Sequence, residues 1–587
     1  MKNHFVFTFG SDLRSMAALR VGCALIVLLD LAQRASDLVA HYTDQGIAPR
    51  MLVIDHSNRW AVSLHQMSGI WEWQAVLFAV AALAALALLV GYRTRLASIL
   101  TWGLCVSLVT RNPYVGYSAD VLLRLMLFWG MFLPWGAVYS VDAVSRDDAP
   151  PAQQFISLGT IAFVIQIVSV YLFSVVWKSG KEWWSEGSAI YYALSIDYLA
   201  TPIGKALREA PYPVLRILNW SVLILEFIAP VALLVPVKKT WFRIAAILGI
   251  VILHLSISSV LFVGIFPLLG ITGMFFFLPG QFWDFLARKC TAAAGAGIRV
   301  YYDDDCGFCS RTVRLIKMFF FLPAIESASA QSVPEIEAEM RQRNSWVVLD
   351  REGDHHYYGY DGVVTVLGGS PLLWPLVPLL RLTPVRWCGE KVYRIIATHR
   401  RISCELPPRH AAVAALKPRY RLLFDASLAL LIGYVFVLNL STIKRFGVRL
   451  PSPWNDVGVS AGLDQSWSMF APFPAKDDGW YVIPGKLRNG ASIDLFRAGR
   501  PVSFSKPTYG SLEFKNHRWV KFHENLRSRA FLLPGYSRHL CREWNRRHRS
   551  GERLDELEII YVLERTQPAP EYSPIEKQSK YKFKCDS

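Results

Sequence analysis

The sequence predicts a multidomain membrane protein: a polytopic α-helical bundle, then an α/β domain, one further transmembrane helix and a β-rich C-terminal domain. Three observations lead there. The chain is 53% hydrophobic with only 19% charged residues, and its mean hydropathy is +0.27; soluble domains carry about 25% charge. Its apolar runs are concentrated before residue 290, and they approach or exceed the ~18–20 residues that cross a bilayer. Beyond that point the pattern changes to short strand and helix signals around a close cysteine pair, Cys306 and Cys309.

Eight spans are expected in the first unit (1–290), near 14–35, 73–91, 96–110, 120–138, 155–177, 215–236, 242–263 and 265–286. Arg14 and Arg20 interrupt the start, and no small-residue cleavage site follows the first apolar run. That run therefore reads as a retained span and not as a signal peptide. A ninth apolar run, Leu422 to Leu440, stands alone within a helix expected over 421–441. Orientation follows from Lys and Arg in short loops. Gly91-Tyr-Arg-Thr-Arg95, Lys238-Lys-Thr-Trp-Phe-Arg243 and Arg288-Lys289 alternate correctly to share the cytoplasmic side. The loops 40–70, 111–119 and 178–214 then face outward, and parity puts the cysteine-bearing domain inside and the tail outside.

The formal charge of +17 is not accompanied by a DNA- or RNA-binding motif, so no nucleic-acid partner is expected. Positive loops and contact with anionic lipid account for it, with the bilayer itself as partner. Nine cysteines in 587 residues do not make a disulfide scaffold. Cys541 and Cys585 can pair if the tail is outside.

Thr291 to Gly297 is a small-residue linker, followed by a short strand, Ile298 to Tyr302. Cys306 opens a helix, Arg311 to Phe320, and further αβ elements follow; strand, CxxC and helix make a thioredoxin-like layout over 298–410. A thiol at a helix N-terminus gains from the macrodipole, which favours thiolate. Two thiols one turn apart can close a disulfide, so Cys306 attacks and Cys309 resolves. The acidic triplet Asp303 to Asp305 moderates that activation. The competing reading is half of a zinc site, but Cys388, Cys404, His355 and His356 show no metal spacing, so no metal is expected.

The stretch Val300-Tyr-Tyr-Asp-Asp-Asp-Cys-Gly-Phe-Cys-Ser-Arg-Thr312 resembles the DCC family of thiol-disulfide oxidoreductases, as do Gly359 to Val363 and Leu382 to Arg400 downstream. The resemblance implies that Asp305, Cys306 and Cys309 are signature residues. Asp304 departs from it, because the family commonly has glycine there.

In the helical half, Asp30, Arg124, Glu226 and His254 fall in or beside apolar runs, where each charge costs a few kcal/mol unless paired or hydrated. Each alone reads as structural; together they suggest a polar interior cavity. Tyr171-Leu-Phe-Ser-Val-Val-Trp-Lys178-Ser-Gly-Lys181 places two lysines at the outer end of the fifth span. A boundary lysine is ordinarily an anchor, but a partly desolvated one can act as a base. This segment, with Leu29 to Arg34 and His254 to Pro267, resembles the horizontally transferred transmembrane (HTTM) domain. Vitamin K-dependent gamma-carboxylases and many bacterial proteins share that domain. The resemblance implies Lys178 as catalytic base, Lys181 as support for the motif, and His254, Asp30 and Arg124 as candidate cofactor-binding residues for a vitamin K-like quinone. It also implies a bacterial inner membrane. The carboxylases carry a further functional histidine before the fourth span, where this chain has Tyr117-Ser-Ala-Asp120.

The tail, 442–587, has short β-like runs among Gly and Pro turns, and its last ~20 residues read as disordered. Its motif Leu463-Asp-Gln-Ser-Trp-Ser-Met-Phe-Ala-Pro472 reads as a packing turn at the membrane surface. The leading expectation for function is a membrane-bound thiol-disulfide oxidoreductase whose partner is a protein disulfide or dithiol, or a quinone. The alternatives are a carboxylase-like, quinone-dependent enzyme with Lys178 as base, and a non-enzymatic membrane scaffold.

Overall fold

Asp12 opens the first membrane helix: its carboxylate accepts the Arg14 backbone N–H at 2.8 Å and caps α1 (Leu13–Ala35). The structure is a computed structural model and describes residues 2–145, 153–236, 240–294, 297–320, 322, 325–350, 355–370, 373–404, 418–567 and 573–585. Among the described residues six longer helices follow, with shorter ones between them: α2 (Trp71–Val90), α3 (Thr94–Arg111), α4 (Ser118–Gly130), α5 (Leu158–Trp177), α6 (Tyr212–Leu234) and α7 (Thr240–Val260). The helical half ends with α8 (Phe266–Phe275) and α9 (Gly280–Ala294). Met16, Leu125 and Phe163 are fully buried between α1, α4 and α5, whereas Leu83 on α2 and Ile224 and Phe227 on α6 are exposed. Large apolar side chains turned outward suit helices solvated by lipid.

The α/β domain is built on β1 (Arg299–Tyr302), joined through α10 (Gly307–Phe319) to the parallel strand β2 (Glu326–Ser329). After α11 (Pro334–Arg343), β3 (Val347–Leu349) pairs antiparallel with β1, and β4 (His356–Tyr357) pairs antiparallel with β3. The sheet order β2-β1-β3-β4, flanked by α12 (Gly359–Gly368) and α13 (Thr383–Cys404), is the thioredoxin-like layout that the sequence predicts.

A single long helix, α14 (Pro418–Thr442), leads to the tail. There β5 (Asp477–Val482), β6 (Pro484–Leu487) and β7 (Ser492–Asp494) precede α15 (His517–Ser528), α16 (Leu533–Arg547) and two long strands, β8 (Leu554–Arg565) and β9 (Glu576–Lys584). Together they form a five-stranded sheet backed by helices. The expectation of a disordered end is corrected, because β9 runs antiparallel to β8 and a disulfide ties Cys585 to Cys541 on α16. The lysines of β9 alternate with Tyr581 and Phe583, which pack on the core, so a charge-rich composition hid a strand of period two.

The span count is corrected as well. Among the described residues, six helices are long and apolar enough to cross a membrane: α1, α2, α5, α6, α7 and, after the α/β domain, Arg419–Thr442 of α14. The expected eighth span is a broken pair, Phe266–Phe275 and Gly280–Lys289, bent by 92°. The expected third span, α3, is diluted by Ser98, Thr101 and Ser107, which are buried against protein. The expected fourth, α4, stops after 13 residues. It ends where the Trp135 ring lies against Gly130, whose Cβ would sit 2.1 Å from it.

Connectivity gives this bundle two ends. At one, Ser11–Asp12 pairs with Gln154–Phe155, Arg14 pairs with Asp284, and α10 of the α/β domain packs against Val141–Val144. At the other, α14 arrives beside Trp177, whose Nε1 donates to Thr442 Oγ1 at 3.3 Å, and the tail covers the loops after α1, α3 and α5. The cysteine pair and the tail therefore stand at opposite ends.

Candidate functional sites

Cys306 is the N-cap residue of α10 and Cys309 lies in its first turn, the Cys306 carbonyl accepting the Ser310 N–H at 3.2 Å. Burial of Val313 one turn beyond Cys309, against Val300 and Val348, fixes the helix on the sheet. The acidic loop before it is held by Gln331, whose amide nitrogen donates to Asp303 at 2.8 Å and to Asp305 at 3.4 Å, and whose oxygen accepts the Asp304 N–H at 3.2 Å. Asp305 is thus a loop-forming residue next to the cysteine pair. Cys306 is disulfide-bonded in this structure, and not to Cys309. Cys306 is 5% and Cys309 1% exposed, so both sulfurs are covered in this state.

At the other end, Lys178 terminates α5. Its Nζ donates to Ser174 Oγ at 3.0 Å, pairs with the Glu226 carboxylate from α6, and stands 4.9 Å from the centre of the Trp183 ring. The lysine is 3% exposed. Further along α5, Tyr171 Oη meets His254 Nε2 of α7 at 2.8 Å, while His254 Nδ1 has no hydrogen-bond partner. Only glycine permits this: a Cβ on Gly270 of α8 would come 2.0 Å from His254 Nε2. Lys178, Glu226, Ser174, Tyr171 and His254 all line one cavity of about 500 Å³ whose remaining wall is largely apolar. A mostly apolar pocket with a few converging polar groups is the usual form of a small-molecule site.

Comparison with protein families follows this division. Residues 10–282 match the family model of the HTTM domain, and residues 300–404 match that of the DCC1-like thiol-disulfide oxidoreductases. The chain joins an HTTM domain to a DCC1-like domain. No curated protein and no solved structure matches it.

The HTTM domain separates the residues that the sequence grouped. His254 lines the cavity, but Asp30 and Arg124 do not. Asp30 accepts Arg34 Nε at 2.7 Å and, with Asp120, receives Arg518 from the tail; Arg34 also binds Tyr42 Oη at 2.6 Å. Arg124 pairs with Asp464 at 2.8 Å. Both are docking residues between the HTTM domain and the tail. Lys181 is exposed and pairs with Glu186 at 2.8 Å outside the cavity. Among the described residues, the DCC1-like domain contributes nothing to this cavity. Among the described residues no group of three or more His, Cys, Asp or Glu is placed to hold a metal.

The tail supplies what sequence reasoning missed. The motif beginning at Leu463 is driven into the HTTM domain: Gln465 Oε1 accepts Gln166 Nε2 at 2.8 Å, Trp467 is fully buried, and the Phe470 carbonyl accepts Trp183 Nε1 at 3.0 Å. Met469, Phe470 and Ala471 line the cavity, and so do His517, Lys521 and Glu524 of α15. Phe470 takes the left-handed backbone region (φ 54°), uncommon for a bulky side chain. A buried turn of that kind has no hydropathy signature. A polar helix such as α15 gives no hint that one of its faces closes a membrane cavity.

Proposed function

We propose that the chain is a membrane-bound thiol-disulfide oxidoreductase working through the Cys306/Cys309 couple. The observation that carries it is the seat of Cys306 at the N-cap of α10 with Cys309 one turn inward, an arrangement in which the helix dipole favours thiolate. In the reduced form, which requires opening the disulfide that Cys306 makes in this structure, the Cys306 thiolate attacks a partner disulfide, forming a mixed disulfide and releasing one partner thiolate. Cys309 then attacks Cys306 and releases the second, so that the partner is reduced by two electrons as the pair is oxidised. The partner in these steps is a protein disulfide. Changing Cys309 to Ser should accumulate mixed disulfides through Cys306, detectable as dithiothreitol-sensitive adducts; recovering none from intact cells removes the exchange mechanism. This reading puts the DCC1-like domain on the cytoplasmic side of a bacterial inner membrane and the tail in the periplasm. The positive loops and the Cys541–Cys585 disulfide support it.

One observation favours a second activity. The buried Lys178, with Ser174, Glu226, Tyr171 and His254, faces a cavity large enough for a quinone ring and part of its tail. The residues fit such a group: Lys178 and His254 would hold its polar head, and the apolar wall its tail. The quinone would supply an acidic hydroxyl in its reduced form. Lys178 would take that proton after passing its own to Glu226, which already accepts a hydrogen bond from Nζ.

A further inference from the structure

We propose that His517, contributed by the tail, belongs to the Lys178 site, where it hydrogen-bonds the hydroxyl or carbonyl head of a lipophilic ligand such as a quinone. The inference rests on the second reading above and extends it to a domain that neither family match covers.

Four observations carry it. His517 is 6% exposed, lines the cavity, and its Nδ1 has no hydrogen-bond partner. An imidazole nitrogen left unsatisfied in a buried site is costly, and such groups in native structures call for a missing partner. His254 presents a second unpartnered nitrogen to the same cavity. Second, the ring is held in place: it stands edge-on to Tyr117 at 4.7 Å between centroids and to Phe262 at 5.9 Å. Tyr117 Oη in turn accepts the Ile265 backbone N–H at 3.2 Å. Third, the helix that carries it is anchored. Arg518 reaches Asp30 and Asp120, and Lys515 and Asn516 reach Asp37 at 2.7 and 2.8 Å. The same face of α15 brings Lys521 and Glu524 to the cavity, paired at 2.7 Å. Fourth, burial pushes the His517 imidazole down to about 3. One ring nitrogen is hydrogen-bonded to the Phe262 backbone, so the neutral ring keeps Nδ1 for a ligand across the physiological range.

The assignment puts a polar contact on the ligand's head from outside the bundle while Lys178 approaches from α5. Without the tail the cavity would lack His517, Phe470 and their neighbours, and Arg34 would lose its bridge through Asp30 and Asp120 to Arg518.

The test uses the full chain in lipid nanodiscs, titrated with decylubiquinone as the probe. Saturable quenching of tryptophan fluorescence is read, since Trp183 lines the cavity. His517→Ala is expected to weaken half-saturation about tenfold, the equivalent of one lost hydrogen bond. His517→Asn, which keeps a polar atom near the position of Nδ1, should recover most of it; if the alanine variant does not fold, the asparagine variant compared with His517→Phe carries the measurement. Unchanged binding in the His517 variants, with Lys178→Ala still weakening it, overturns the assignment of His517 alone. Equal loss in the alanine and asparagine variants overturns the hydrogen-bonding role. Quenching that does not saturate, or that neither Lys178→Ala nor His517→Ala alters, overturns the quinone reading of the cavity itself.

Discussion

Lys178 and Glu226 define each other. An ammonium and a carboxylate removed from water are each costly, and their attraction offsets that cost only while both are present. Glu226→Gln should therefore destabilise the full chain by about 3–5 kcal/mol, because it leaves the lysine buried and unpaired. Adding Lys178→Met to it should restore most of the loss. Detergent-solubilised melting curves of the single and double variants check this, and equal melting points would show that the pair contributes nothing. At this scale the sequence is uneven. The placement of Cys306 and Cys309 at a helix start is legible because the motif is local: two cysteines one turn apart. Lys178 and Glu226 are visible as charges in apolar runs, yet only the packing of α5 on α6 joins them. His517 is invisible, since nothing about a histidine in a polar stretch marks it as the wall of a membrane cavity.

Secondary elements repeat the lesson. Long apolar helices such as α1, α5 and α7 announce themselves by composition. The broken pair α8–α9 and the short α4 do not, because a run of apolar residues carries no mark of where the backbone bends. Strand β9 was masked by its lysines, and Gln331, which orders the loop before Cys306, sits in a turn with no motif of its own. Strand β5 carries a measurable consequence. Its Asp478 is buried, with Asp197 beside it, and these push its carboxyl up to about 7. An unfolded aspartate has released its proton by about pH 4. Between those values the folded chain holds a proton that the unfolded chain has lost. The stability from this group is thus fully present below about pH 4 and is lost as the pH rises through about 7. Asp478→Asn stays neutral throughout, so its melting temperature relative to the parent should rise between about pH 5 and about pH 8. A constant or falling difference would mean that Lys506 and its other neighbours keep Asp478 ionised.

For the molecule as a whole, the cysteine pair and the Lys178 cavity are separated by the thickness of the bundle. The DCC1-like domain leaves from the end where Arg14 meets Asp284, and α14 carries the chain across to the end where Lys178 and the tail meet. A bilayer around α1, α2, α5, α6, α7 and α14 would hold Cys306 and Lys178 on opposite faces. With α14 crossing that bilayer, coupling between Cys306 and the Lys178 cavity would need a ligand that moves within the membrane. The native Cys388, exposed on α13, reports on one face. A cysteine replacing the exposed Ser550, in the turn before β8, reports on the other. With a membrane-impermeant maleimide, intact cells should label Ser550→Cys and leave Cys388 unlabelled until the membrane is opened. The reverse pattern would keep the two-ended architecture and invert its orientation, moving the Cys541–Cys585 disulfide to the reducing side. Labelling of both positions from one side would mean that α14 does not cross, and it would bring the cysteine pair within reach of the cavity that His517 helps to close.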